Sequence, residues 1–169
     1  MYKVHVTKDN LVFCSGHFIT YEGECEPLHG HNYRVAVTLE GRLDNNAYVF
    51  NFVTLKKAMK SICDPLDHRL LLPTNNPLLT IESDSTSYTV RYQHKIYVFP
   101  REDIVQLPLP NTTAEKLAEW FGGQLETVLQ AKGAHNLTAL EIEIEETFGQ
   151  SAFYRKDIYR EGAKSAKVD

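Results

Sequence analysis

The chain has 169 residues, of which 43% are hydrophobic and 24% are charged, and its formal net charge is −4. These values are typical of a globular domain that can bury a core, and they exclude a disordered chain. The sequence contains no basic patch that would indicate a nucleic-acid partner, and no apolar run that would predict a signal peptide or a membrane helix. Three cysteines at irregular spacing predict free thiols in the cytoplasm rather than a disulfide framework.

Two strands are predicted in the N-terminal quarter. Residues 2–18 are rich in β-branched and aromatic residues, which favours a strand that is bulged near Asp9–Asn10. Residues 31–43 alternate between apolar and polar side chains, as in a half-buried strand. The apolar positions of this second strand are Tyr33, Val35, Val37 and Leu39.

A helix and a hairpin are predicted in the middle of the chain. Residues 51–62 follow a helical pattern, and Asn51 is a favourable N-cap. The apolar positions of this helix are Phe52, Leu55, Met59 and Ile62. Residues 72–110 contain Pro and Asn breakers and two strand-like runs on either side of Gln93, which predicts a β-hairpin.

A second helix and two further strands complete the pattern. Thr112 and Glu115 match a capping box at the start of the helix, while the pair Gly122–Gly123 weakens its middle. Residues 137–149 alternate like a strand, and residues 151–158 are its expected hairpin partner. The order of these elements predicts an α+β fold with an antiparallel sheet.

Three histidines are candidate metal ligands. His29 and His31 stand two apart on an extended segment, so both imidazoles project from one face. An antiparallel neighbour would bring His17 opposite this pair. Neutral imidazole is a common zinc ligand, and three histidines with one open position are typical of a catalytic rather than a structural site. The alternative is three unrelated strand histidines, bonded within a polar patch.

The segment before the histidine pair carries a thiol and a carboxylate. Cys25 lies among Gly, Glu and Pro residues instead of an apolar run, so near a metal ion it is a candidate base or nucleophile. Cys14 and Cys63 fit the more common buried and inert thiol. Glu26 is either a solvated carboxylate or a second base beside Cys25.

Three more residues have side chains suited to proton transfer or ligand binding. Asp67 and His68 form a carboxylate–imidazole sequence that can fix a tautomer or relay a proton, or that simply lies in a loop after the helix. Glu146 ends an apolar row on its strand, so it points where core is expected and needs a partner or ligand. The amidine-like edge of a heterocycle would satisfy it through paired hydrogen bonds; otherwise it reaches solvent. The row before Glu146 is Leu140, Ile142 and Ile144.

Together these motifs resemble the 6-pyruvoyl-tetrahydropterin synthase family, which includes 6-carboxytetrahydropterin synthase. The matching stretches occur in the family's order and cover most of the chain outside residues 72–110; they are FCSGH, CEPLHGHNY, NFVTLK, PLDH, TTAEKLA and EET. The resemblance implies one tunnelling-fold (T-fold) domain over residues 1–169, with an insertion at about 72–110. The implied architecture is a four-stranded antiparallel sheet with two helices on one face, plus the β-hairpin insert.

The resemblance also implies the roles of individual residues. The implied ligands of a Zn²⁺ cofactor are His17, His29 and His31. The implied catalytic residues are Cys25 as the base, Asp67 and His68 as its relay partners, and Glu26 as an alternative base. The implied substrate-binding residues are Glu146, for the pyrimidine edge of the pterin, and Thr113. Family members assemble as trimers or hexamers with active sites between subunits, so a homo-oligomer is expected.

The implied reaction is a lyase reaction on 7,8-dihydroneopterin triphosphate. The three-residue gap between Cys25 and His29 resembles the branch that makes 6-carboxy-5,6,7,8-tetrahydropterin for queuosine biosynthesis. Glu26 gives the form Cys-Glu-x-x-His-Gly-His, which resembles members that also release 6-hydroxymethyl-dihydropterin for folate synthesis. A 6-pyruvoyl-tetrahydropterin synthase remains an alternative. So do two readings of other classes, a non-catalytic pterin-binding module and a structural zinc protein.

Overall fold

The structure, a computed structural model, describes residues 1–158, the side chains of residues 8 and 10 excepted. Its elements in chain order are β1 (Tyr2–His17), β2 (Thr20–Tyr21), β3 (Glu24–Cys25), β4 (His29–Gly41), α1 (Phe52–Cys63), β5 (Arg69–Pro73), β6 (Thr80–Ser83), β7 (Ser87–Tyr92), β8 (Lys95–Pro100), β9 (Ile104–Leu107), α2 (Ala114–Ala131), β10 (Leu137–Thr147) and β11 (Gln150–Asp157). Short 3-10 turns follow α1 and β8. None of the helices in the described part of the chain is long and apolar enough to cross a membrane.

The main sheet is mixed and has six strands, in the order β11-β10-β4-β1-β5-β9. The four strands with long alternating patterns, β11, β10, β4 and β1, pair antiparallel. The short strands β5 and β9 then extend the sheet in parallel. The predicted four-stranded sheet is therefore incomplete, because β5 and β9 are too short for a period of two to be recognised in their sequences.

The pairing of β1 with β4 sets the position of the histidines. His17 is paired with His29, and Ser15 with His31, so the three imidazoles share one face at one end of the sheet. The register shifts between Thr7 and Val12, which is the bulge expected near Asp9–Asn10. Beyond the bulge the alternation is restored, so the apolar face continues along both strands.

One hydrophobic core lies between this face and the two helices. It is built from buried side chains of β1, β4, β10, α1 and α2, among them Phe13, Tyr33, Val35, Leu55, Met59, Leu117, Phe121 and Ile142. Helix α1 begins as predicted, since the side chain of Asn51 accepts a hydrogen bond from the Thr54 amide at 3.0 Å. Phe52 is the exception to the predicted apolar face, because it is half exposed.

Helix α2 begins one residue later than the capping-box prediction. Thr113, not Thr112, is the N-cap, and its hydroxyl accepts from the Lys116 amide at 3.4 Å. Gly122 does more than weaken the helix. A Cβ at this position would lie 2.8 Å from the Tyr154 ring, so only glycine allows α2 to pack this closely on β11.

A second, three-stranded antiparallel sheet is formed by β6, β7 and β8. The β7–β8 hairpin turns at Gln93–His94, as the sequence indicates, and β6 adds a third strand. This small sheet packs over the β2–β3 hairpin through a second hydrophobic core. The buried members of that core are Phe18, Cys25, Leu70, Leu72, Tyr88, Val90, Tyr92 and Ile104. The segment just before the histidine pair is thus covered by residues far along the chain.

Candidate active site

His17, His29 and His31 form a compact group at the end of the main sheet, called the histidine triad below. One nitrogen of each imidazole lies within 4.8 Å of the other two. The Nε2 atoms of His17 and His29 are 3.2 Å apart. His17 is 1% exposed, whereas the other two are more accessible. The structure therefore brings together the three histidines that the sequence singles out.

Hydrogen bonds to two of the triad rings define which ring nitrogen carries the proton. Nδ1 of His17 lies 3.0 Å from the Thr112 carbonyl, and Nδ1 of His29 lies 2.9 Å from the Pro27 carbonyl. A carbonyl only accepts, so Nδ1 carries the proton in both rings. Burial lowers the pKa of His17 to about 4, which keeps this ring neutral at pH 7. The Nε2 atoms of the two rings face each other at 3.2 Å, and Nε2 of the neutral His17 ring carries no proton.

This arrangement suits a metal ion. In a tetrahedral site with metal–nitrogen bonds of about 2.0–2.1 Å, neighbouring ligand nitrogens lie about 3.3 Å apart. The 3.2 Å between the two Nε2 atoms matches that spacing. Backbone carbonyls that fix the tautomer from behind are also typical of metal-binding histidines. The triad is therefore a group that could hold a metal ion, with Nε2 of His17 and of His29 already directed inward.

Glu146 and Tyr33 border the triad on the sheet side. Glu146 Oε1 lies 3.4 Å from His17 Nε2 and 3.7 Å from His31 Nε2. The Tyr33 hydroxyl donates to the same oxygen at 3.3 Å. Burial and the Glu146 carboxylate raise the pKa of Tyr33 far above its usual range, so the hydroxyl remains a donor. Sequence reasoning missed Tyr33 as a site residue, although it shares the parity of His31.

Glu26 approaches the triad from the other side. Its Oε2 lies 3.9 Å from His29 Nε2. Cys25 differs from expectation: its side chain is only 4% exposed and packs in the second core. Burial raises the pKa of the Cys25 thiol, against an opposing effect of Lys95. In this conformation Glu26, rather than Cys25, is the group turned toward the triad.

The other two cysteines differ in burial, because of the face of the strand or helix on which each lies. Cys63 is buried on α1, as predicted, and burial raises its pKa to about 12. Cys14 is exposed, so the prediction of a buried thiol was wrong there. Side chains alternate along β1, and Cys14 has the opposite parity to the buried Phe13.

Asp67 and His68 interact with each other but not with the proposed base. Asp67 Oδ2 lies 3.0 Å from His68 Nδ1, and Oδ1 accepts from the Cys14 amide at 2.7 Å. The Cys14 amide is the main reason why the pKa of Asp67 is lowered. Within residues 1–158 neither side chain contacts Cys25. The His68 side chain is 82% exposed, so one chain alone does not assemble the expected relay.

Thr113 and its neighbour Thr112 lie behind the triad. The Thr113 hydroxyl caps α2, and the Thr112 carbonyl orients His17. No sequence signal could have found Thr112 in this role, because it acts through its backbone. Its own hydroxyl donates to the Phe18 carbonyl at 3.3 Å, which ties the start of α2 to the residue after His17.

A recess of about 290 Å³ opens beside the triad. Its lining residues are Gly30, His31, Asn32, Arg34, Glu145, Glu146, Thr147 and Phe148. The Arg34 guanidinium lies over the Phe148 ring, 4.7 Å from its centroid. Because His31 belongs to both the recess and the triad, and Glu146 borders both, a ligand in the recess would lie next to the triad. A larger cavity, about 880 Å³, lies at the opposite end of the sheet and contains none of the triad.

Comparison with known proteins identifies one family. The model of the 6-pyruvoyl tetrahydropterin synthase family matches residues 5–157. A putative 6-carboxy-5,6,7,8-tetrahydropterin synthase of Methanocaldococcus jannaschii is 40% identical over 147 residues, which cover 86% of this chain and 90% of the relative. The match thus extends along nearly the whole of both proteins.

Solved structures show the same likeness. The crystal structure of 6-pyruvoyl tetrahydropterin synthase from Plasmodium vivax has a TM-score of 0.87 at 28% identity, covering 93% of this chain and 98% of that one. A variant of the P. vivax protein, in which alanine replaces a glutamate described as a catalytic residue, has a TM-score of 0.87 at 27% identity, with the same coverage. The α+β architecture with two helices is therefore that of the T-fold synthases.

Proposed function

The chain belongs to the 6-pyruvoyl tetrahydropterin synthase family, and from this premise we propose that it is a zinc-dependent lyase that converts 7,8-dihydroneopterin triphosphate into 6-carboxy-5,6,7,8-tetrahydropterin. Its relatives are named as synthases, and the chain is an enzyme of this pterin-lyase type. The observation that carries the proposal is the histidine triad, in which the Nε2 atoms of His17 and His29 face each other at 3.2 Å. This spacing matches that of two neighbouring nitrogen ligands in a tetrahedral zinc site.

His17, His29 and His31 would hold the zinc ion. When bound, zinc supplies Lewis-acid chemistry, which polarises the side-chain hydroxyls of the substrate and acidifies the neighbouring C–H bonds. The chain's part is to keep His17 neutral through burial and to orient the imidazoles. The Thr112 and Pro27 carbonyls orient two of the rings by accepting from Nδ1.

Glu146 would bind the pterin. It lies between the triad and the recess of about 290 Å³, so a heterocycle held by its carboxylate would place its side chain beside the triad. Two N–H groups of a pyrimidine edge form paired, charge-assisted hydrogen bonds with a carboxylate. Thr113, the N-cap residue of α2, is proposed as a second contact with the pterin.

Cys25 and Glu26 would be alternative bases. We propose that Cys25 removes the side-chain proton on the route to the carboxy product, and that Glu26 serves a second route that releases 6-hydroxymethyl-dihydropterin. Two observations support a role for Glu26: its distance of 3.9 Å from His29 Nε2 and the catalytic glutamate of the P. vivax relative. Dual activity is therefore the second candidate function.

Asp67 and His68 would act as relay partners across a subunit boundary. In one chain they do not contact Cys25, and the His68 side chain is 82% exposed. We propose that they complete the site of a neighbouring subunit in a homo-oligomer, either a trimer or a hexamer. A site of this kind needs the assembled protein for turnover.

Incubation of the zinc-loaded protein with 7,8-dihydroneopterin triphosphate, followed by mass analysis of the pterin, tests the proposal. 6-Carboxytetrahydropterin, lost in Cys25→Ala, supports the leading function. 6-Hydroxymethyl-dihydropterin, lost in Glu26→Gln, supports dual activity, and 6-pyruvoyl-tetrahydropterin would move the chain to the alternative synthase reaction. Pterin binding without turnover would overturn the lyase assignment and leave a binding module.

A further inference from the structure

The two candidate bases are adjacent, yet their side chains point in opposite directions. Cys25 ends the extended strand β3 and is buried in the second core. Glu26 reaches toward His29, with 3.9 Å between Oε2 and Nε2. Successive side chains of an extended backbone alternate between its two sides. One orientation of the Cys25–Glu26 peptide therefore presents only one of the two groups to the triad.

This peptide is held from both sides. The Glu26 amide donates to the Ile19 carbonyl at 3.0 Å. On the other side the Lys95 ammonium donates to the Cys25 carbonyl. Lys95 is the first residue of β8, so the second contact comes from the small sheet formed by β6, β7 and β8. Rotation of the peptide requires both hydrogen bonds to break.

Further contacts from the same small sheet hold the β2–β3 hairpin in place. The Tyr92 hydroxyl donates to the Gly23 carbonyl, at the turn of the hairpin. The Tyr97 ring stacks on Phe18, with 5.4 Å between centroids and 14° between planes. Phe18 follows the triad residue His17, and the hairpin starts two residues later. The β7–β8 hairpin is thus a brace on the segment that links two triad histidines.

The chemistry of Lys95 indicates more than packing. It is half-buried, and in the described part of the chain its ammonium forms no ion pair and donates to a backbone carbonyl. Partial burial of a cation without a carboxylate partner costs desolvation free energy. An apolar side chain would fill the same space without that cost. What the ammonium adds is a charge-assisted hydrogen bond to one particular peptide.

We propose that Lys95 is a positioning residue that selects between the two bases: by holding the Cys25 carbonyl it keeps Glu26 toward the triad and Cys25 inside the second core. Release of this hydrogen bond frees the backbone at Cys25 and Glu26 to twist about the chain axis, which turns Cys25 out of the core and Glu26 away. The conformational part of this inference depends only on the contacts above. Its effect on the product rests on the proposed function.

Alkylation of Cys25 by iodoacetamide measures the conformational part. The experiment uses the full chain with the exposed Cys14 replaced, Cys14→Ser, and quantifies the Cys25 and Cys63 peptides by mass spectrometry. Lys95→Met should raise the Cys25 rate by about tenfold, as expected for loss of one charge-assisted hydrogen bond. Lys95→Arg should restore the slow rate, because a guanidinium can donate to the same carbonyl.

The direction in which the Cys25 alkylation rate changes distinguishes greater exposure of the thiol from loss of the Lys95 charge. Lys95 favours the Cys25 thiolate, so loss of its charge alone would slow alkylation. Cys63 is buried on α1 and reports global opening in the same sample. Lys57→Met, on the exposed side of α1, is the matched control and should leave both rates unchanged. An unchanged or slower Cys25 rate in Lys95→Met, or a parallel rise of Cys63, would overturn the proposal.

Two further measurements keep the test decisive. Tyr92→Phe removes the hydrogen bond to the Gly23 carbonyl, together with the one that the Gln93 side chain donates to the same hydroxyl, and should raise the Cys25 rate by a smaller factor. It decides the question if Lys95→Met does not fold. With substrate, Lys95→Met should shift the product ratio from 6-hydroxymethyl-dihydropterin toward 6-carboxytetrahydropterin. Absence of turnover in the wild type would count against the proposed function alone, because the alkylation rates still decide the role of Lys95.

Discussion

The two ends of strands β1, β4 and β10 carry ionic groups of opposite kinds. At one end Glu40 accepts two hydrogen bonds from Arg155, at 2.8 and 3.0 Å, and lies 2.6 Å from Lys3. At the other end Glu146 faces the histidine triad, and no Lys or Arg of residues 1–158 pairs with it. A carboxylate with its cations in place stabilises the fold, whereas one without them is ready for a ligand.

Cavity size does not identify which of the two ends is the candidate active site. The cavity of about 880 Å³ lies at the Glu40 end, and the recess at the triad has only about 290 Å³. What distinguishes the triad is the convergence of three imidazole nitrogens and a carboxylate. The following variants test whether the two ends differ as these contacts indicate, beginning with the largest expected effect.

Removal of one imidazole should abolish the metal site. His29→Ala leaves two ring ligands, so zinc affinity should fall by more than about 100-fold, beyond the effect of groups that only orient a ligand. The His29 side chain is 40% exposed, so the fold should persist. Competition with a chromophoric chelator measures the affinity. His5→Ala, an exposed histidine of β1, is the control, and equal zinc affinity of both variants would contradict the assignment.

Neutralisation of Glu146 should weaken pterin binding without removing the metal. Glu146→Gln replaces an acceptor of charge-assisted hydrogen bonds, so the KM for 7,8-dihydroneopterin triphosphate should rise by about 10–100-fold. Zinc content, measured on the same sample, should stay as in the wild type. Glu143→Gln lies on the other face of β10 and should change neither quantity. A variant that keeps the wild-type KM would remove Glu146 from the pterin site.

The same change at the opposite end should affect stability alone. Glu40→Gln removes the charge that pairs with Arg155 and Lys3. The expected result is a Tm lower by about 2–4 °C, a modest change because both cations are partly exposed. Thermal unfolding followed by circular dichroism measures it. Loss of zinc or of turnover in this variant would show that the two ends are coupled, contrary to the comparison.

The smallest effect is the pH dependence of that Tm difference. Hydrogen bonds from Arg155, and then from Lys3, lower the pKa of Glu40 from its ordinary 4.5 to about 2. A lowered pKa in the folded state gives stability that is present above pH 4.5 and is lost as the pH falls toward 2. The Tm difference between wild type and Glu40→Gln should therefore vanish over this window. A difference that stays constant down to pH 2.5 would refute the ion pair.

Much of the fold could be predicted from the sequence in the segments where the apolar pattern is long. The alternation along β4 and β10 predicts which face is buried, because a period of two leaves each side chain only one face. The same logic places Glu146 at the end of its apolar row, where the structure has it. The two short strands β5 and β9 were not predicted as part of the main sheet, because they have too few residues for an alternating pattern. The sheet was predicted with four strands, and the structure has six.

The candidate site divides in the same way. His17, His29 and His31 can be chosen from residue type and parity, since both are properties of the local sequence. The burial of Cys25 could not be predicted, because most of the residues that cover it lie on β5, β7 and β9. The exposure of Cys14, in contrast, follows from the parity of β1, which the prediction of a buried thiol overlooked. Contacts between segments that are far apart in the sequence cannot be predicted from a local residue pattern.

The sequence by itself determined the family, the α+β order of elements and the three histidines that the structure assembles. The tertiary structure alone decided which nitrogens of His17 and His29 face inward, since the two carbonyls that hold their Nδ1 atoms belong to the backbone of Thr112 and Pro27. It also decided that Glu26 faces the triad and that Lys95 holds the neighbouring peptide. Backbone groups are the same at every residue, so only the folded chain determines which of them meet a side chain.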